Sequence, residues 1–342
     1  MPRHISIAEF LQLRSQYPVV DMRSPKEFTA GHISGAVNIP ILNDEERAAV
    51  GTDYKQKGQQ AAVQSGIKLV GPRLAAIVEE ASGIAKDKTL LVHCWRGGMR
   101  SGNFSWLIEL AGISCINLQG GYKAYRQLAT DTFEKPFQLL VITGATGSGK
   151  TGVLQALKAM GEQVIDLEAL AKHKGSVFGG LGQSSQPTTE QFQNDLFEAL
   201  HPLDMHRRIW IEDESIAIGK VFLPDAFWKN LRTSPLLQLQ VDKSVRIKHL
   251  VEEYGKADIN QLTEAIEKIT KKLGGQHAKA AKEKLLAGDL ATTVDILLTY
   301  YDKAYQNGLL QRESKIIDKF EYDGANAKQM AALLVQQISI KA

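Results

Sequence analysis

Short apolar runs alternate along the first part of the chain with stretches whose apolar residues recur at helical spacing. Residues 18–22 and Thr89–His93 read as buried strands, each running out into polar or loop chemistry. Between them Leu74, Ile77, Val78 and Ala81 fall on one helical face. A helix around 104–110, a strand over Ser114–Leu118 and the pair Gly120-Gly121 complete a second cycle. Alternation of this kind predicts a parallel sheet covered by helices. Glu134-Lys135-Pro136 predicts a hinge, after which 137–143 opens a second α/β unit with strands over 163–167, 208–212 and 236–241. Beyond about residue 244 the pattern is wholly helical. Ile247, Leu250, Val251 and Tyr254 share a face, as do Leu262, Ile266, Ile269 and Leu273, and later Leu290, Val294, Leu297, Leu298 and Tyr301. The expected organisation is an N-terminal parallel-sheet domain over 1–135, a second α/β domain over 136–243, and a helical C-terminal region over 244–342 with the second domain as its packing partner.

A length of 342 residues suits two or three domains. No apolar run reaches the roughly 18–20 residues that span a bilayer, and the first sixteen residues lack a signal-peptide apolar segment. The reading is a cytoplasmic protein with no membrane partner. With 41 basic and 38 acidic residues the net charge is only +3, so a nucleic-acid surface would have to be a local patch. The candidate runs over 268–284, where Lys268, Lys271, Lys272, Lys279, Lys282 and Lys284 meet a single acidic residue, Glu283. Lys272, Lys279 and Lys282 are its proposed phosphate contacts; a solvated helix face explains the same run as well. The two cysteines, Cys94 and Cys115, make neither a disulfide framework nor a zinc-ligand spacing.

Cys94 lies in His93-Cys94-Trp95-Arg96-Gly97-Gly98-Met99-Arg100-Ser101, where a buried strand gives way to a helix. A tight loop there aims backbone N–H groups at one spot, and the helix N-terminus adds partial positive charge. Both favour a thiolate at Cys94 and would cradle an anion beside it, with Arg96 and Arg100 supplying further charge. Gly97 and Gly98 would permit close backbone approach. Cys115, in the middle of an apolar strand, reads as packing.

Around this loop stand Asp21-x-Arg23-Ser24, Glu27-Phe28 and Gly31-His32-Ile33-x-Gly35-Ala36-x-Asn38-Ile39-Pro40. Over about residues 5–130 this closely resembles the rhodanese framework, in which a loop cysteine takes up sulfur or selenium. The stretch over 42–68 is longer than that framework and includes Asp44-Glu45-Glu46-Arg47. His93-Cys94-x5-Arg100 also matches the cysteine phosphatase signature, and an anion cradle around a thiolate does not by itself fix which atom is attacked.

Gly144-Ala145-Thr146-Gly147-Ser148-Gly149-Lys150-Thr151 fits G-x4-G-K-[ST], with a strand before it and a helix over 152–160 after it. In this setting the loop amides of Gly144, Gly147, Ser148 and Gly149 wrap a diphosphate, Lys150 neutralises it, and Thr151 is placed to bind Mg²⁺. In Arg208-Ile209-Trp210-Ile211-Glu212-Asp213-Glu214-Ser215, strand alternation would put Glu212 and Glu214 on one face and turn Asp213 away. Glu212 or Glu214 is then the candidate for holding a metal-bound water or orienting phosphates; an exposed acidic turn is the alternative.

A rhodanese-like segment followed by this P-loop and by Trp210-Ile211-Glu212-Asp213-Glu214-Ser215 resembles the tRNA 2-selenouridine synthase family over nearly the whole chain. His173-Lys174-Gly175-Ser176, Phe178-Gly179 and Gln186-Pro187 add to the likeness; alone they read as a Gly/Ser-rich surface loop. The resemblance implies a transferase acting on tRNA in two stages. The wobble 2-thiouridine is geranylated by geranyl diphosphate, and selenium from selenophosphate, delivered by a selenophosphate-producing partner enzyme, then replaces the S-geranyl group. It implies Cys94 as perselenide carrier, Lys150, Thr151 and the loop amides as the diphosphate site, and no tightly bound cofactor. An ATP-dependent tRNA sulfurtransferase, a cysteine phosphatase and a nucleotide-gated binding module are the alternatives the residues leave open.

Overall fold

A computed structural model describes residues 3–312 and 316–341, with side chains to residue 338. Met1 and Pro2 of the expected first domain, and 313–315 and 342 of the expected helical region, lie outside the described residues. The chain divides into two compact units, Met1–Thr132 and Phe133–Ala342.

Five parallel strands build the first unit: β1 (Arg3–Ile5), β2 (Val19–Asp21), β3 (Val37–Asn38), β4 (Thr89–His93) and β5 (Ser114–Leu118), in the order β1-β5-β4-β2-β3. Leu90, Leu91 and Val92 of β4 are fully buried, as expected of a central strand covered on both faces. Val20, Leu90, Val92, Phe104, Ile108 and Cys115 form part of one core. The long stretch after Leu42 folds as two mutually packed helices, Asp44–Lys57 and Gln59–Val70. Asn43 starts the first of them: its side chain accepts from the Glu46 N–H at 2.8 Å, and the Glu46 carboxylate accepts from the Asn43 N–H at 2.9 Å.

The second unit has strands β6 (Leu139–Thr143), β7 (Gln163–Ile165), β8 (Ile209–Glu212), the antiparallel pair β9 (Ala217–Ile218) and β10 (Val221–Phe222), β11 (Leu236–Gln240) and β12 (Ile316–Glu321). Its main sheet is parallel with order β12-β11-β6-β8-β7. Two expectations are corrected here. The strand expected over 163–167 stops at Ile165, because the Asp166 carboxylate accepts from the Ala169 N–H at 2.8 Å and starts the helix Leu167–Ala171. The region beyond 244 is not wholly helical, since β12 pairs with β11 at the sheet edge. The final helix, Ala327–Lys341, then packs on the helix Lys150–Ala159: Met330, Ala331, Leu334 and Ile338 share a core with Val153, Leu154 and Leu157. The three expected helical faces are present in Lys243–Tyr254, Ile259–Leu273 and Leu290–Leu310. With Gly275–Leu286 they enclose a second apolar core. No helix among the described residues is long and apolar enough to cross a membrane.

Candidate active sites

In the first unit, β4 delivers Cys94 to a loop that opens the helix Met99–Leu110. The loop is pinned by its neighbours: the Cys94 carbonyl accepts from the Tyr122 N–H at 2.8 Å and the Trp95 carbonyl from the Lys123 N–H at 2.9 Å. Gly97 and Gly121 make this possible. Both have positive φ, and a Cβ on Gly121 would lie 2.3 Å from the Cys94 carbonyl oxygen. At Gly98 nothing lies within 4 Å of where a Cβ would be, so the crowding expected there falls on Gly97 alone.

Behind the loop sits a buried charge network. Arg23 pairs with Asp21 at 2.6 Å, donates to the Gly31 carbonyl at 2.6 Å and lies 3.7 Å from the centre of the Tyr122 ring. Burial holds His93 below its ordinary pKa, against the pull of Asp21 3.8 Å away, so the imidazole beside Cys94 is neutral.

Cys94 is itself buried, with its Sγ 3.4 Å from Ser101 Oγ. Burial pushes its thiol up, but the Ser101 hydroxyl, the Arg100 charge and the Arg96 and Ser101 N–H groups outweigh it and leave the thiol acidified. Arg100 is held by Glu27 at 2.9 Å, and Glu27 also meets Arg47 of the inserted helices at 3.5 Å. Arg96 is exposed. Cys115 has the opposite environment, and burial drives its thiol up to about 12. Iodoacetamide alkylation followed against pH should therefore reach its plateau at Cys94 below the range of an ordinary thiol and leave Cys115 unmodified. An inflection at Cys94 at or above that range would remove the activated thiol.

In the second unit, β6 leads into the P-loop and the helix Lys150–Ala159 follows it. Gly147 takes φ +82, and its carbonyl lies 3.0 Å from His249 Nδ1. The Thr146 carbonyl accepts from Arg246 at 3.2 Å, and Arg246 is clamped by both Asp302 oxygens at 2.8 and 2.9 Å. Lys150 Nζ donates to the Gly144 carbonyl at 3.0 Å. Ser148 Oγ is buried without a hydrogen-bond partner, packed against the backbone of Gly144. The loop floors a cleft of about 530 Å³ walled by Glu168, Glu214, His249, Tyr254 and Tyr301, among others.

The acidic segment departs from its expected facing. β8 ends at Glu212, so strand alternation no longer governs the residues after it. Asp213 and Glu214 line the cleft, whereas Glu212 is buried and accepts from the Glu168 N–H at 2.8 Å. Burial raises the Glu212 pKa well above the carboxylate range, so Glu212 fastens the first turn of a helix instead of meeting phosphate. Asp213 accepts from Thr143 at 2.8 Å and is paired with Arg312.

Glu168, which the sequence reading missed, accepts from Thr151 Oγ1 at 3.3 Å and shares a hydrogen bond with Glu214. Burial raises both carboxyl groups, and their mutual repulsion adds to the rise at Glu214. A proton shared between them reduces the negative charge facing a bound diphosphate. Among the described residues no three His, Cys, Asp or Glu side chains are grouped to hold a metal. Hard oxygen donors do stand at the loop, and Thr151 with Glu168 are the residues that would hold Mg²⁺ alongside phosphate oxygens.

Lys272 lies in the last turn of the helix Ile259–Leu273, and Lys279 and Lys282 lie on Gly275–Leu286. Lys279 and Lys282 line a shallow groove of about 410 Å³ with Thr263 and Thr270. Lys282 meets Glu267 at 2.9 Å and Lys279 meets Glu283 at 3.9 Å.

Comparison with known proteins matches residues 6–128 to the rhodanese-like domain and residues 137–336 to the tRNA 2-selenouridine synthase AAA domain. A tRNA 2-selenouridine synthase of Nitrosomonas europaea is 40% identical over 245 residues, 69% of this chain and 63% of that relative. One from Shewanella denitrificans is 32% identical over 354 residues, covering 93% of this chain and 94% of its own. The rhodanese-like match precedes the AAA-domain match along the chain, the Shewanella relative is covered over nearly its whole length, and the chain belongs to the tRNA 2-selenouridine synthase family.

Proposed function

We propose that the protein is a tRNA-modifying transferase that geranylates the wobble 2-thiouridine from geranyl diphosphate and then exchanges the S-geranyl group for selenium from selenophosphate. The observation that carries this reading is the shape of the P-loop cleft. Thr146, Ser176, Leu250, Tyr254 and Tyr301 wall both the cleft and a narrow apolar cavity, about 30 Å³, that runs on among the C-terminal helices. A diphosphate head held by Lys150 and the loop amides would have its hydrocarbon tail at the mouth of that cavity. A nucleotide whose ribose and base entered that cavity would set polar groups against Leu262, Ile266 and Leu298, which offer no hydrogen-bond partners. A ten-carbon chain enters only as the lining side chains turn aside.

The chemistry has a reason for its order. A bare thiocarbonyl sulfur is a poor leaving group. Once the sulfur has bonded to the geranyl carbon, with diphosphate departing and the base losing its ring proton, it can leave as a thiol. Lys150 opposes the charge that grows on the departing diphosphate. The Cys94 thiolate attacks the donor's phosphorus, whose oxygens Arg100 and the loop amides hold. The P–Se bond breaks, the selenide released displaces geranyl thiolate from the base, and the S–P bond is then hydrolysed to free the thiol and phosphate. The tRNA backbone would be met by Lys272, Lys279 and Lys282; the exposed ion pairs of Lys279 and Lys282 are weak enough to be exchanged for phosphate.

Competition binding tests the P-loop assignment. Geranyl diphosphate should bind the protein and resist displacement by ATP at equal concentration. Tight ATP binding that geranyl diphosphate fails to displace would move the reading to an ATP-dependent sulfurtransferase.

A further inference from the structure

The loop over 172–186 buries Phe178 in the helical core and packs Val177 and Leu181, partly buried, against it. Phe178 is 6% exposed and stands 5.8 Å, ring centre to ring centre, from Tyr254. Its neighbours hold it there: the Val177 N–H donates to the Tyr301 hydroxyl at 3.2 Å, the Gly179 N–H to the Ser176 carbonyl at 2.8 Å, and Lys174 pairs with Glu253. Gly175 and Ser176, just before it, line the P-loop cleft. Phe178 does not. It lines the apolar cavity alone, as do Leu262, Ile266 and Leu298, whereas Thr146, Ser176, Tyr254 and Tyr301 line both the cavity and the cleft.

We infer that Phe178 is a specificity-determining residue that limits the length of the isoprenoid chain accepted by the P-loop site, an inference that rests on the prenyl-diphosphate reading above. The physical grounds are position and size. A chain whose diphosphate is held at the P-loop and whose tail turns into the apolar cavity passes the shared mouth and meets the Phe178 ring. The other apolar walls come from helices that pack on one another, whereas Phe178 comes from a loop and can be replaced with less disturbance to the bundle. A phenyl ring is close in size to one isoprene unit. Removing it should make room for one unit more, and enlarging it should leave room for one unit less.

The test is a chain-length series, with dimethylallyl, geranyl and farnesyl diphosphates presented to the full-length protein with a 2-thiouridine anticodon stem-loop RNA and the S-prenylated nucleosides quantified. For Phe178→Ala the farnesyl-to-geranyl ratio of kcat/KM should rise about tenfold or more, the scale at which a pocket discriminates apolar groups. For Phe178→Trp the ratio should move toward dimethylallyl. The opposite directions of the two variants separate a length effect from damage to the fold, which circular dichroism monitors independently. Wild-type protein that prenylates with geranyl diphosphate, and variants with unchanged ratios, would overturn the role of Phe178. Wild-type protein that prenylates with none of the three would instead overturn the reading on which the inference rests.

Discussion

Cys94→Ser protein, supplied with thiolated tRNA, geranyl diphosphate and selenophosphate, should accumulate S-geranyl-tRNA and form almost no selenouridine. Serine nearly keeps the size of cysteine, so the pinned loop, with its Tyr122 and Lys123 contacts, has no reason to move. The chemistry of the atom changes, however. The thiol is acidified by Ser101, Arg100 and two backbone N–H groups acting against burial. A hydroxyl stays protonated near neutral pH in the same surroundings. Loss of a nucleophile of this kind costs on the order of 10⁴-fold or more in the step it serves. Geranylation draws on the other cradle and should proceed at the wild-type rate. Selenouridine formed at an undiminished rate would remove Cys94 from the reaction.

Lys150→Ala should give the reverse pattern. Lys150 donates to the Gly144 carbonyl, so its ammonium group lies at the P-loop. Deleting it takes away the charge opposite the leaving diphosphate, a loss of about 10²–10³ in rate for a single transition-state contact. Geranylation should collapse accordingly. Conversion of pre-geranylated tRNA to selenouridine should survive, because that step needs no diphosphate. If both substitutions abolish geranylation equally, with folding intact by circular dichroism, the division of labour between the two cradles is wrong.

Much of this was legible in the sequence, for physical reasons that differ from element to element. The strands β4 and β5 were readable to the residue because both are buried over four of their five positions, which favours short, largely apolar runs. The helices around Leu250, Ile269 and Leu297 were equally clear, since each buries one stripe. β12 was not, because an edge strand carrying Asp318, Lys319 and Glu321 buries only Phe320 fully and shows no such run. The P-loop announced itself by spacing and context. Its supporting residues did not: Glu168 has no signal beyond following a predicted strand, and Arg246 and His249 reach the loop from about a hundred residues away in sequence. Alternation misplaced Asp213 and paired Glu212 with Glu214 because it was carried two residues past the strand end. The Gly/Ser-rich loop read as surface, yet it buries Phe178; no local pattern tells a solvated aromatic in a loop from one that docks elsewhere.

The most direct check on the two-stage account is nucleoside mass spectrometry of thiolated tRNA incubated with wild-type protein and selenophosphate, with geranyl diphosphate supplied or withheld. With it, S-geranyl-2-thiouridine should appear first and decay into 2-selenouridine. Without it, 2-thiouridine should persist unchanged. Selenouridine formed at the same rate in the absence of geranyl diphosphate would contradict the account.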